Sequence, residues 1–495
     1  MVSPTLSDNP PRKFAASCML SMLGCCWVAA SVRPGPALRG SAPHALRAGT
    51  PCCSEPALPR RVALQLAVAA TAAAEAPRAA SARETGRAAP DRAYGPLLQG
   101  PFDFPAPGST RATLRRELVP GRIWSFEQVQ GVIFVHVPVR MTVVRLDSGG
   151  LFVYAPVAPT TECLRLLAEL EAVHGDVKHI LLPTLAIEHK AFAGAFAEKR
   201  PAATLWVAAG QYSFPLDLPL LLQGFPRGTR TLPPEADAAQ VPWAAQLPYK
   251  ELGPLNEKIG GFAEVVVFDQ PTLSLLVTDL VVAISEEPPA IIAENDVRAL
   301  LYHSRDGPTE QAVDTPEARK RGYQKICLFA CYFQSSTLDV PAEPDGTLEG
   351  AKAFFRSAFP PEVPAAVRAL GWKGFIAWRW QAGWPTTFDA LRYGGRPFVP
   401  PILQELVLNR EPKKVLAFAE RVAADFAFTT IIPAHFDAVV PATPEVWLDA
   451  FRPFGPTGTK YVGSLPTADL AFLRAFEDTL VRAGTIRPRA CNIYR

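Results

Sequence analysis

The stretch MTVVRLDSGGLFVYAPV, Met141–Val157, sets two β-rich runs around Asp147-Ser148-Gly149-Gly150. Glycine takes positive φ at little cost, so the two runs predict an antiparallel hairpin. Two earlier runs, RIWSFEQ and GVIFVHV, read as further strands. After the hairpin the pattern changes. TTECLRLLAELEAVHG puts Cys163, Leu166, Leu167, Leu170 and Val173 on one helical face, with Thr160 or Thr161 as cap and Gly175 as stop. VKHILLP reads as a buried strand, IEHKAFAGAFAEK as a helix and ATLWVAAG as another short strand. Residues 215–256 are proline-rich with little periodicity and read as a long loop. Phe262–Ile284, FAEVVVFDQPTLSLLVTDLVVAI, is a second hairpin turning at Asp269-Gln270-Pro271. EPKKVLAFAERVAADF is a helix, FTTIIPAH a strand, and DLAFLRAFEDTL a terminal helix. Early hairpins, helices between later strands and no sustained βαβ repeat predict an α/β sandwich.

Charge divides the chain of 495 residues. Residues 1–83 hold nine Lys/Arg against three acids, or +6; the whole chain is +3, so residues 84–495 stand at −3. The basic balance is thus a property of the leader. The body shows no clustered basic face, so nucleic acid is not an expected partner. The leader carries an apolar run behind Arg12-Lys13 (Ala15–Val32), then an Arg/Ala/Ser/Pro segment, then Arg60-Arg61 before a second apolar run (Val62–Ala74) and a small-x-small Ala80-Ser81-Ala82. Signal-like, transit-like and twin-arginine segments in series resemble the leader of a thylakoid-lumen protein. The expected location is therefore the plastid (chloroplast), and more finely the thylakoid lumen; the bland alternative is a low-complexity tail. Neither apolar run reads as a transmembrane helix, which needs about 20 predominantly apolar residues.

The expected organisation is a disordered targeting leader at 1–83, a Pro/Gly/Ala-rich linker at 84–112, a main domain at 113–455 and a C-terminal helical extension at 456–495. The main domain carries a mostly helical, aromatic-rich insertion at about 286–400, with Phe354, Phe355, Phe359, Trp372, Phe375, Trp378, Trp380 and Trp384. Five of nine cysteines lie in the leader, and the body keeps Cys163, Cys327, Cys331 and Cys491, which is no disulfide framework. Cys327 and Cys331, four apart in an apolar run, read as packing residues rather than a redox pair.

Three places share one local context: each is polar where an apolar strand gives out. Glu188-His189 follow HILLPTLAI, Asp279 follows LSLLVT, and His435 follows TTIIPA. Groups at strand ends can converge on one crevice while the sheet holds them rigid. Two imidazoles and two carboxylates suit Zn²⁺ or Fe²⁺. Each residue also has an ordinary reading: Glu188 as a first-turn helix acid, Asp279 as a turn cap, His435 as a hydrogen-bonded structural histidine. Lys190 reads either as a solvated helix charge or as an anion contact. His136, His174, His179 and His303 read as surface or core residues. P-loop, dinucleotide, nucleophile-elbow and HExxH motifs are absent.

The long runs from VRMTVVRL through GQYSFPLDLPL, with SLLVTDLVV, FVPPILQELVLNREPKKVL and TTIIPAHFDA, closely resemble the proteins called domain of unknown function 4336, over roughly residues 113–445. That family is similar to the metallo-β-lactamase superfamily. The resemblance implies a metallo-β-lactamase-like αββα sandwich with its site at strand ends. The superfamily's H-x-H-x-D-H motif falls on Thr184, Leu185, Ala186, Ile187, Glu188 and His189. Thr184 and Ala186 replace its first two histidines, a Glu replaces its Asp, and the last His is kept. Asp279 matches the bridging Asp and His435 the final His; a further His would fall near Asp269. One metal pocket is thus erased, while Glu188, His189, Asp279 and His435 remain as candidates for the other.

Two functions follow as expectations. One is a plastid protein with a degenerate metal site, without catalysis, that binds a protein partner through the aromatic insertion. The other is a mononuclear metal-dependent hydrolase holding one Zn or Fe ion, with Asp279 as ligand and base. The sequence leaves both open.

Overall fold

The computed structural model describes residues 102–103, 108, 111–132, 135–213, 217–257, 260–339, 379–455 and 465–490. The expected leader and most of the expected linker lie outside them. So do Cys491 and six of the insertion aromatics, Phe354 to Trp378.

The first sheet has eight strands. β1 (Phe102–Asp103) and β2 (Leu114–Val119) both pair with β3 (Ile123–Val132), followed by β4 (Val135–Arg145), β5 (Leu151–Tyr154), β6 (Val177–Leu182), β7 (Thr204–Val207) and β8 (Arg230–Thr231). The hairpin at Asp147–Gly150 is β4 against β5. From β5 to β8 the pairing is parallel. Helix α1 (Thr161–His174) joins β5 to β6 and α2 (Ile187–Glu198) joins β6 to β7. Thr160 caps α1, accepting from the Cys163 amide at 3.2 Å, and Gly175 ends it at φ 90°. The second sheet runs β15-β14-β11-β10-β9, from β9 (Tyr249–Glu257), β10 (Gly260–Asp269), β11 (Ser274–Val277), β14 (Thr430–Pro433) and β15 (Val440–Pro441). The short pair β12 (Leu338–Asp339) and β13 (Arg379–Trp380) belongs to the insertion.

The layers follow from side-chain alternation. Phe152, Tyr154, Leu181 and Trp206 of the first sheet meet Val265, Val267, Leu276 and Ile432 of the second in one buried interior. On the opposite face of the first sheet, Val143, Val153 and Ile180 lie under Cys163 and Leu167 of α1 and Phe196 of α2. Outside the second sheet, Val266, Leu275 and Ile431 are covered by Val415, Phe418 and Val422 of α8 (Pro412–Asp425) and by Trp447 of α9 (Pro444–Ala450). Helix, sheet, sheet, helix: this is the αββα sandwich. Covered on both faces, β5 and β11 are buried at every position rather than at alternate ones.

The described residues of the insertion are mostly helical, as expected. They contain α3 (Ala290–Ala293), α4 (Arg298–Ser304), α5 (Pro316–Tyr332) and α6 (Trp384–Arg392), followed by α7 (Pro401–Leu406). With α10 (Ala471–Arg482) these helices form one further core, against Val129 and Val135. Trp380 and Trp384 are buried in it, flanking the Lys325 ammonium at 5.7 and 5.0 Å. Cys163, Cys327 and Cys331 are buried free thiols, and burial pushes the Cys163 and Cys331 thiols up to about 12.

Two expectations are corrected. Residues 215–256 are not all loop: from Tyr249 on, the chain is β9, antiparallel to β10. Pro254 is tolerated because β9 is an edge strand, where a missing amide donor breaks no ladder. And GVIFVHV is not a strand of its own: Gly131 and Val132 end β3, and Val135 begins β4, which runs on through MTVVR. Val135–Arg145 is one strand that carries Pro138 and the buried Arg140 in its middle.

Candidate metal centre

Three strand ends meet. β6 gives out at Pro183, and Thr184 makes a single bridge to Glu264 of β10. The chain then enters α2, which carries His189 in its first turn, 1% exposed. β11 gives out at Val277 and the next turn presents Asp279. β14 runs beside β11 in parallel and gives out at Pro433, two residues before His435. His189 therefore comes from the first sheet, and Asp279 and His435 from the second.

One ligand atom from each of His189, Asp279 and His435 lies within 4.8 Å of the other two. Oδ1 of Asp279 is 2.9 Å from Nε2 of His435 and 3.5 Å from Nε2 of His189. The two imidazole centroids are 5.2 Å apart, edge to face. The Thr184 hydroxyl faces the other carboxylate oxygen at 3.5 Å and accepts from the Ala186 amide at 3.2 Å. Glu188, the fourth expected ligand, stands outside this convergent group. It lies in the first turn of α2 and is felt through its charge.

The ring state of His435 follows from its neighbours. Nδ1 is 3.0 Å from the Pro138 carbonyl, which can only accept, so Nδ1 carries a proton. Nε2 then faces a carboxylate, where a bare lone pair would be repelled. A second proton or a cation has to lie between them. Nε2 of His189 is buried, makes no hydrogen bond, and looks at the same oxygen. Burial would lower the His435 pKa, but the Asp279 hydrogen bond and charge, the Glu188 charge and the Pro138 carbonyl raise it. Burial would raise the Asp279 pKa, but the two imidazoles hold it well below the usual carboxylate range. Glu188 is pushed upward by burial and by the Asp279 charge.

This donor set fits a divalent cation. Two imidazoles and one carboxylate are a common zinc complement that leaves a fourth position open. Two ligand atoms on one zinc stand about 3–4 Å apart. The 3.5 Å spacing already meets that and the 2.9 Å spacing needs only a slight opening.

Two buried ionisable side chains that the sequence reading passed over hold the candidate ligands from behind. The Glu264 carboxylate accepts from the backbone amides of Thr278, Asp279 and Leu280 at 2.8, 3.1 and 2.8 Å, and so fixes the turn under Asp279. Burial and the Asp279 charge push its pKa up to about 8. The Arg140 guanidinium donates to the carbonyls of Pro433, Phe436 and Asp437, which bracket His435, and to Glu127 at 3.0 Å. Each had a signal: one charge set inside an apolar strand, FAEVVVFD and VPVRMTVV.

Lys190 is neither a solvated charge nor an open anion contact. Its ammonium donates to the Tyr212 carbonyl and to Gln223, each at 2.7 Å, and burial lowers its pKa to about 8. Asp269 lies apart from the cluster, bonded to Thr272 at 2.6 Å and paired with Arg122. Among the described residues no helix is long and apolar enough to cross a membrane.

A family model described as a domain of unknown function (DUF4336) matches residues 120–453. No curated protein matches the chain. Among solved structures, the chain is similar to the mono-zinc form of the metallo-β-lactamase FIM-1 from Pseudomonas aeruginosa, at 11% identity over 36% of this chain and 73% of that one, TM-score 0.27. It is similar to a metallo-β-lactamase from Pontibacter korlensis at 13% identity, over 35% and 74%, TM-score 0.25. It is also similar to the metal-soaked Flv1 flavodiiron core from Synechocystis sp. PCC6803 at 8% identity, over 70% and 61%, TM-score 0.32.

Proposed function

The chain belongs to the DUF4336 family, and from that premise we propose that it is a mononuclear metal protein, with His189, Asp279 and His435 holding one Zn²⁺ or Fe²⁺ and with metal-dependent hydrolysis as its activity. The observation that carries this is the convergence of two imidazoles on one carboxylate oxygen: Nε2 of His189, buried and without a hydrogen bond, and Nε2 of His435 face Oδ1 of Asp279 at 3.5 and 2.9 Å. A cation bound there would supply a Lewis acid and a lowered water pKa for hydrolysis. The residues of the chain do the rest. Pro138 fixes the His435 tautomer, Glu264 aims the Asp279 turn, and the Thr184 hydroxyl faces the second oxygen of Asp279.

The same 2.9 Å contact favours one other reading, a scaffold without catalysis in which a doubly protonated His435 closes the cluster by itself. Metal content separates the two. Purified full chain, loaded with zinc or ferrous iron and desalted, should retain one ion, and His189→Ala and His435→Ala should each lose it. The loaded chain is then assayed against chromogenic esters, lactams and phosphodiesters. Failure to retain any metal under any loading leaves only the scaffold. A partner role for the insertion gains nothing from Trp380 and Trp384, which are buried.

We also propose plastid targeting, and more finely the thylakoid lumen, from the three-part leader at residues 1–83. That segment fused to a fluorescent protein in an algal cell should enter the plastid. Fluorescence confined to the cytosol would overturn the proposal.

A further inference from the structure

We infer that Arg140 is a positioning residue for His435: it fixes the direction of the imidazole through the backbone of the turn that carries it. Its bearing on metal affinity rests on the proposed metal site, but its effect on the ring does not.

The residues 138–140 of β4 engage the His435 turn in three ways. The Pro138 carbonyl accepts from Nδ1 of the ring at 3.0 Å. Val139 forms a single antiparallel bridge with His435 itself. Arg140 donates to the carbonyls of Pro433, Phe436 and Asp437, on both sides of the histidine. Phe436 has φ 53°, a left-handed conformation that a bulky residue adopts only when its surroundings enforce it. The Phe436 carbonyl is one of the three that the guanidinium holds, at 2.8 Å.

The physical case is that a fully buried guanidinium in a strand is otherwise a liability. Arg140 is 0% exposed, and removing such a charge from water costs several kcal/mol unless its donors are met. Here Nε goes to Glu127, itself 0% exposed and also bonded to Arg116, and the two terminal nitrogens go to the turn. Three carbonyls pointing at one spot would repel one another without a cation. A planar, forked donor set reaches all three while Nε still holds Glu127, which a single ammonium cannot do from one point. Arg140 therefore does for the His435 turn what Glu264 does for the Asp279 turn, with donors to carbonyls in place of acceptors from amides. Partners behind metal-binding imidazoles typically matter by 10–100-fold in metal affinity.

The test is made on the full chain labelled with ¹⁵N-histidine. The Nδ1–H of His435, held by the Pro138 carbonyl, should give a slowly exchanging, downfield ring-proton signal, assigned by its loss in His435→Gln. Arg140→Met and the milder Arg140→Lys should shift or abolish that signal while circular dichroism stays native, and zinc affinity measured by competition should fall about 10–100-fold. An unchanged ring signal in either folded variant would overturn the inference. If Arg140→Met does not fold, Arg140→Lys decides. If the parent chain binds no zinc, the metal reading falls, and the ring signal still judges Arg140.

Discussion

Nε2 of His435 stands 2.9 Å from Oδ1 of Asp279, although the two residues are far apart in the chain and leave different strands. The contact exists because β11 and β14 run side by side in parallel, so their C-terminal ends open on the same edge of the sheet. Parallel register turns two unrelated strand ends into neighbours.

Asp279→Asn should abolish stabilisation of the chain by zinc. It removes the only carboxylate in the three-residue group and leaves both imidazoles in place. A ligand present at 100 times its Kd adds about 2.7 kcal/mol to a protein that binds it only when folded. Thermal unfolding with and without zinc should show a rise in Tm for the parent and none for the variant. An equal rise in both would remove Asp279 from the site.

Glu264→Leu should destabilise the fold by about 3 kcal/mol or more, because three backbone amides would lose their acceptor inside the protein. The volume and β-propensity of leucine suit the strand, so packing alone would not cause the loss. Urea unfolding checks this; a change under 1 kcal/mol would show that water reaches those amides.

Gly194→Ala should destabilise, against the usual gain of about 1 kcal/mol for replacing a helical glycine by alanine. A Cβ there would meet the Gly224 carbonyl oxygen at 2.1 Å, and backbone cannot swing aside like a side-chain tip. The expected cost is about 1–3 kcal/mol, from overpacking between α2 and the loop it rests on. Thermal melts of the two proteins decide the sign.

Glu251→Gln should stabilise the protein above neutral pH and have little effect in acid. Burial and the neighbouring Glu235 push the Glu251 pKa up to about 7, and its Oε1 has no hydrogen-bond partner. The folded chain therefore holds this proton more tightly than the unfolded chain. The stabilisation is complete below the ordinary value of about 4.5 and is lost as pH rises through 7. Allowing for partial solvent contact, the variant should gain about 1 kcal/mol at pH 8. Stability profiles of parent and variant that run parallel from pH 4 to 8 would contradict this.

Much of the site was legible because strand ends are local features. An apolar run that stops at a charged residue is visible in six or seven letters, and His189, Asp279 and His435 each carry that mark. What the letters hide is direction. Nothing in them says that His189 and Asp279 point at one another while Glu188, next to His189, stands aside. The first hairpin was legible for the same local reason, with glycines at its turn. β9 was not, since an edge strand tolerates Pro254 and polar residues that a central strand would reject. Arg140 disguised the middle of β4, because the carbonyls it holds lie nearly three hundred residues away.

The cluster takes one imidazole from the first sheet and its other two ligands from the second. A cation bound there would clasp the two layers of the sandwich together. If an ion were held there, its release and the separation of the sheets would be linked steps: layers that part would lose the ion, and a bound ion would hold the layers together.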